Sequence, residues 1–128
     1  MLPGFVHKQV SVDGFTVDLV TAGRGQPLLL LHGFPETKAA WYKIAPRLAD
    51  RYTVVLPDLP GYGDSPGPEP DAQNKNYSKR SIGNVLVQVM NDLHFHRFAI
   101  AGHDRGGRVA YRMALDHPQK ITQVAVLN

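Results

Sequence analysis

Cysteine is absent from the 128-residue sequence, which excludes a disulfide framework, thiol chemistry and a cysteine-based metal site. Runs of like charge are absent too. Lys and Arg are scattered, no basic run exceeds two residues, and the formal net charge is +3. A solvated surface accounts for that balance, so neither nucleic acid nor an anionic membrane is expected as a partner. No apolar stretch is long enough to span a bilayer, and the opening Met1-Leu2-Pro3-Gly4-Phe5-Val6-His7-Lys8 has no signal core. The expected location is cytoplasmic. Internal repeats are missing as well. What is present is ordinary for one globular domain with a real core: 43% hydrophobic and 20% charged residues.

The apolar pattern alternates between strand and helix periods. Phe5 to Val12 alternates, Phe15, Val17 and Leu19 repeat the pattern, and Asp13-Gly14 between them is a strong hairpin signal. Pro27-Leu28-Leu29-Leu30-Leu31 is a continuous apolar run that suits a central strand buried on both faces. Trp41, Ile44, Ala45 and Leu48 fall at helical spacing, and Tyr52 to Leu56 reads as a strand ending at Pro57-Asp58. Residues 65–76 are rich in Pro and Gly and read as a loop. Ser78 can cap a helix whose apolar face is Ile82, Val85, Leu86, Val89, Met90 and Leu93. A strand up to Gly102, a helix carrying Val109, Ala110, Met113 and Ala114, and a last strand from Val124 to Leu127 complete the pattern. Strands alternating with helices predict an α/β fold: a mostly parallel sheet with an N-terminal antiparallel hairpin at one edge.

The stretch that organises the chain is Arg97 to Arg108. An apolar run breaks at Gly102-His103-Asp104-Arg105-Gly106, a G-x-D-x-G pattern that reads as a nucleophile elbow with aspartate at its apex. Gly102 and Gly106 let strand and helix approach around such a turn. The competing reading is an aspartate that simply caps the helix. Arg105 and Arg108 lie three apart in the first helical turn and share roughly one face. Cations there oppose the helix dipole at about 0.3–1 kcal/mol each. A substrate carboxylate would offset that cost, as would an internal acid such as Asp58 or Asp64.

His32-Gly33-Phe34-Pro35 after the central strand, Asp58-Leu59-Pro60-Gly61-Tyr62-Gly63-Asp64-Ser65 after the next, and the Gly102–Gly107 elbow resemble, in this order, the α/β-hydrolase fold. Within it they are similar to the aspartate-nucleophile branch, the haloacetate dehalogenases and epoxide hydrolases. Gly102 to Arg108 followed by Arg112-Met113-Ala114-Leu115-Asp116-His117-Pro118 is most like the fluoroacetate dehalogenases. The resemblance implies that Asp104 displaces halide from a carbon, or opens an epoxide, to leave an ester on the enzyme. Water activated by a general base, usually histidine, then hydrolyses that ester. It further implies an oxyanion hole from the backbone N–H groups of Phe34 and Arg105, and substrate carboxylate binding by Arg105 and Arg108. The implied substrate is a short halo-carboxylate, with no cofactor and no metal.

Two clues to substrate class conflict. Many epoxide hydrolases carry Trp where this chain has Arg105, which favours the dehalogenase. Fluoroacetate dehalogenases place the triad acid where this chain has Asn128, which favours the epoxide hydrolase. The resemblance also implies that cap domain, catalytic histidine and last strands would lie beyond position 128, making residues 1–128 the N-terminal part of a hydrolase core. The last strand would then be an open edge, inviting a second copy or a C-terminal partner. Three functions stay open: a hydrolase completed by a partner, a half-enzyme that alkylates itself once, and a non-catalytic module. His32 and His103 are expected to be structural, and His94 and His96 to be surface residues.

Overall fold

The computed structural model describes residues 3–33, 36–60, 63, 65, 67 and 77–127. Val6–Val12 (β1) and Phe15–Gly23 (β2) form the expected hairpin, with φ of +51° at Asp13 and +85° at Gly14. Positive φ at both central residues is the turn whose twist matches paired strands. Gln26–Leu31 (β3), Tyr52–Pro57 (β4), Phe98–His103 (β5) and Ile121–Leu127 (β6) complete one six-stranded sheet in the order β1-β2-β4-β3-β5-β6. β1 and β2 join antiparallel at one edge, β2 also runs antiparallel to β4, and the β4-β3-β5-β6 part is parallel.

β3 is the central strand that its leucine run predicts. Leu29 and Leu31 face a core shared with two helices, Lys79–Asp92 (α2) and Arg105–Asp116 (α3), while Leu28 and Leu30 face a second core with Val20, Trp41, Ala45, Val54, Leu56 and Ala99. One strand thus feeds both layers, because successive side chains point to opposite faces. Ser78 caps α2 as expected, its Oγ accepting from the Ser81 N–H at 3.1 Å.

Three elements differ from their sequence patterns. The helix expected across Trp41–Leu48 is split into a 3-10 turn at Lys38–Trp41 and a one-turn helix, Ala45–Leu48 (α1). Pro46 has no N–H to donate to the preceding turn, so it can only open a helix. Ile44, expected inward, is exposed. β6 starts at Ile121 rather than Val124, because pairing with β5 begins at Phe98↔Ile121 and recruits two polar residues. β2 runs on to Gly23 and buries Asp18 and Val20 as well as the alternating apolar set. The loop expected over 65–76 lies outside the described residues except for Ser65 and Gly67.

Among the described residues, cover is unequal on the two faces. α2 and α3 lie across one, whereas the short α1 and the 3-10 turn leave an apolar groove of about 570 Å³ on the other, lined by Leu28, Leu30, Trp41, Ile44, Ala99, Ala101 and Val124 among others. The Trp41 Nε1 is buried beside it with no hydrogen-bond partner among the described residues. Among the described residues β6 has β5 as its one strand neighbour and exposes Val124, Val126 and Leu127. Among the described residues no helix is long and apolar enough to cross a membrane, and no cluster of His, Cys, Asp and Glu could hold a metal ion.

Candidate active site

Three polar residues follow directly on the carboxyl ends of parallel strands: His32 after β3, Asp58 after β4 and Asp104 after β5. In open α/β sheets this end is where ligands bind. Asp104 sits between β5 and α3 with φ +56° and ψ −117°, a conformation costly for a residue with a Cβ. Its N–H donates to the Leu127 carbonyl at 3.2 Å, and its own carbonyl accepts from the Arg108 N–H at 3.1 Å. Glycine makes this turn possible by close approach. A Cβ on Gly102 would lie 2.3 Å from the Gly106 carbonyl oxygen, and one on Gly106 would lie 2.3 Å from that of Leu31. A Cβ on Gly33 would meet the Asp104 Cβ at 2.7 Å.

Asp104 occupies the N-cap position of α3, yet its side chain makes no capping hydrogen bond. A well-formed Asp cap would adopt ordinary extended backbone and accept from the N–H two or three residues on. The exposed carboxylate instead borders a cavity of about 700 Å³, lined also by His103, Gly107, Arg108, Tyr111, Val126 and Leu127. Arg108 and Tyr111 stand on the same helical face as Asp104.

Arg105 and Arg108 are both exposed in the first turn of α3, which holds no acidic residue. Arg108 shares the cavity with Asp104; Arg105 is not among the described residues lining it. Asp58, one of the two internal acids named as an alternative partner, is engaged by Lys38. Asp64, Phe34 and Asn128 lie outside the described residues.

His32 is fully buried, and the Leu59 N–H donates to its Nε2 at 2.8 Å. That leaves the proton on Nδ1, which donates to the Gly33 carbonyl at 2.9 Å. Burial, the largest influence, holds the imidazole below its usual pKa and therefore neutral. Both nitrogens serve the backbone of two strand-end loops, in keeping with a structural role. His103 differs from its expectation as a packed elbow residue. Its side chain is 39% exposed, and its Nδ1 lies 3.1 Å from Glu36 Oε1. Glu36 Oε1 also accepts from the Gly33 N–H at 3.1 Å.

A buried ionic cluster was not expected from the sequence. The Lys38 Nζ donates to Asp18 Oδ2 at 2.8 Å and Asp58 Oδ2 at 2.9 Å, and its backbone N–H donates to Asp58 Oδ1 at 2.8 Å. His7 and Gln9 also hydrogen-bond to Asp18, and Ser65 links the Asp18 N–H to the Asp58 carbonyl. Burial opposes charge on Lys38, but the two carboxylates outweigh it and raise its pKa. Burial likewise pushes Asp18 up, and the hydrogen bonds from Lys38, His7 and Gln9 bring it below the ordinary carboxylate value. The signal available in the sequence was Asp18 itself, a charge inside the apolar strand Phe15–Val20.

Residues 26–128 match the family model described as alpha/beta hydrolase fold. The whole chain is 46% identical to the fluoroacetate dehalogenase of Burkholderia sp, of which it spans 42%. Over 122 residues it is 34% identical to the soluble epoxide hydrolase of Corynebacterium sp. (strain C12), spanning 41% of that protein. The solved ALR0039 structure from Nostoc sp PCC 7120 superimposes on all of the chain with a TM-score of 0.97 at 48% identity, the chain covering 44% of it. The chain thus spans less than half the length of these relatives.

Proposed function

The chain belongs to the alpha/beta hydrolase fold family, and from that premise we propose that it carries the nucleophilic half of a dehalogenation. Asp104 attacks the halogen-bearing carbon of a short halo-carboxylate, halide leaves, and an ester remains on Asp104. The observation that carries this reading is the Asp104 conformation: a strained backbone that presents the carboxylate to a cavity without using it as a helix cap. Arg108 on the same wall, with Arg105 beside it at the start of α3, gives a positive entrance for a carboxylate substrate. Their charge also favours the ionised form of Asp104 that the attack requires. The backbone N–H groups of Phe34 and Arg105 are assigned to the oxyanion that forms when water attacks the ester. The reading needs no cofactor or metal. It is supported by the relative that acts as a fluoroacetate dehalogenase.

Epoxide opening by the same aspartate is the second reading, favoured by the relative that is a soluble epoxide hydrolase. The two arginines favour the first reading, since an epoxide offers no carboxylate for them to bind. The test is chloride release from chloroacetate, with an epoxide assayed in parallel. Release that disappears in Asp104→Asn and weakens in Arg108→Gln is expected; epoxide opening unaffected by Arg108→Gln would favour the second reading. Release that survives Asp104→Asn would sink both.

The outer edge of β6, unpaired among the described residues, is proposed as an association surface for a second copy or a C-terminal partner. Its seven residues carry no charge and no proline, the usual guards against edge pairing. A clean monomer in sedimentation at micromolar concentration would overturn the self-association.

A further inference from the structure

Asp18, Lys38 and Asp58 are all buried, and no step of the proposed reaction uses them. Buried charge is costly unless it is paired, and one carboxylate would balance one ammonium. The fold supplies two, and they differ in what they hold. Asp18, inside β2, accepts from the Lys38 Nζ at 2.8 Å. Asp58, which follows β4, accepts from the same Nζ at 2.9 Å and also from the Lys38 backbone N–H at 2.8 Å. That last bond is to main chain. It ties the segment after β3 to the segment after β4.

A second tie joins the same two segments. The Leu59 N–H donates to His32 Nε2, and His32 Nδ1 donates to the Gly33 carbonyl. Between the ties the Glu36 N–H donates to the Gly33 carbonyl at 2.8 Å and the Gly33 N–H to Glu36 Oε1 at 3.1 Å, closing a turn. Gly63, at φ +52°, lies over the Asp58 carboxylate, where a Cβ would come within 2.5 Å of Oδ2. The turn is therefore held by His32 in front and Lys38 behind, and both holds rest on the segment that begins at Asp58. Its first residue touches the nucleophile. A Cβ on Gly33 would lie 2.7 Å from the Asp104 Cβ and 3.0 Å from the His103 carbonyl oxygen, so the Asp104 side chain rests against the Gly33 backbone.

We infer that Asp58 is a positioning residue for Asp104: by holding the Lys38 backbone it fixes the turn at Gly33, and with it the direction of the nucleophile's side chain. Asp18 balances the charge of Lys38 and takes no part in the positioning. In this role Asp58 makes and breaks no bond; its effect is geometrical. Misplacing a reacting atom by about 1 Å costs on the order of 100-fold in rate. The arginines assigned to the substrate carboxylate stand on α3, outside the tied segments, so substrate binding is left alone. The inference rests on Asp104 attacking the halogen-bearing carbon, and the two can fail separately.

The experiment compares Asp58→Ala with Asp18→Ala in the full chain. Each removes one carboxylate from Lys38, so each controls for the other's loss of stability. The rate of the first equivalent of chloride from chloroacetate, with the mass of the peptide carrying Asp104, is followed against chloroacetate concentration. Asp58→Ala is expected to lower the saturating rate by about 10- to 100-fold and to leave the half-saturating concentration unchanged; Asp18→Ala should leave both unchanged. Asp58→Asn, which keeps an oxygen for the Lys38 N–H, should restore most of the rate. In parallel, hydrogen exchange of the Gly33 amide is measured against that of Ile100 inside β5, which reports global opening. Gly33 should exchange faster relative to Ile100 in Asp58→Ala and not in Asp18→Ala. Equal rate losses in the two alanine variants, a rate in Asp58→Asn as low as in Asp58→Ala, or a Gly33 amide no faster in Asp58→Ala would each overturn the inference. Wild type that releases no chloride and gains no ester overturns the reading of Asp104, and the exchange comparison then decides by itself whether Asp58 holds the turn.

Discussion

Lys38 is anchored at two points by Asp58, through its ammonium and its backbone N–H, and shared with Asp18. Removing one member of a buried, paired set leaves the others uncompensated, at about 3–5 kcal/mol. Lys38→Met is therefore expected to lower the free energy of unfolding by that amount in urea titration. A loss below about 1 kcal/mol would show that water reaches the cluster. At this scale the sequence was only half legible. The tight turn at Asp104 was legible because its glycines, its strand and its helix are all within a few residues of it. Asp18, Lys38 and Asp58 lie far apart in the chain, and only the sheet order β2-β4-β3 brings them together. The His103–Glu36 contact, 67 residues apart, was hidden for the same reason.

At the scale of elements, local constraint decided what could be read. The β1–β2 hairpin, the central strand β3 and the cap of α2 each follow from two to five adjacent residues. The break between the 3-10 turn and α1 was also written locally, in Pro46, but helical spacing of the apolar residues masked it. The start of β6 was not written locally at all, since Thr122 and Gln123 become strand by pairing. The elbow supports a prediction whose sign is informative. Ala is favoured over Gly in a helix by about 1 kcal/mol, so propensity alone would make Gly106→Ala stabilising. The new Cβ, however, would lie 2.3 Å from the Leu31 carbonyl oxygen and 2.4 Å from that of His32, both backbone atoms. Gly106→Ala is expected to destabilise by about 1–3 kcal/mol, measured by thermal unfolding; a raised melting temperature would refute the close approach.

For the whole molecule, two buried groups contribute to the response to acid. His32 has a lowered pKa in the fold, chiefly from burial. Below about 6.5 the unfolded chain takes up a proton that the folded chain refuses, so stability falls with pH through that range. Asp18, also lowered overall, adds stability that is full above about pH 4 and is lost as pH falls through its depressed value. Urea midpoints should fall gently on acidification from neutrality and more steeply below about pH 4. A midpoint constant from pH 7 to pH 5 would mean that His32 accepts its proton without cost.

The groove left open on the sparsely covered face also has an optical consequence. Trp41 is the sole tryptophan of the chain and is 6% exposed, with its indole N–H unbonded among the described residues. Fluorescence excited through it therefore comes from one site, on one side of the sheet, and should be blue and poorly quenched by iodide. A helix or strand that settles into the groove brings either a carbonyl to the indole or new apolar contacts. The emission colour then becomes a built-in gauge of whether that face is bare or clothed.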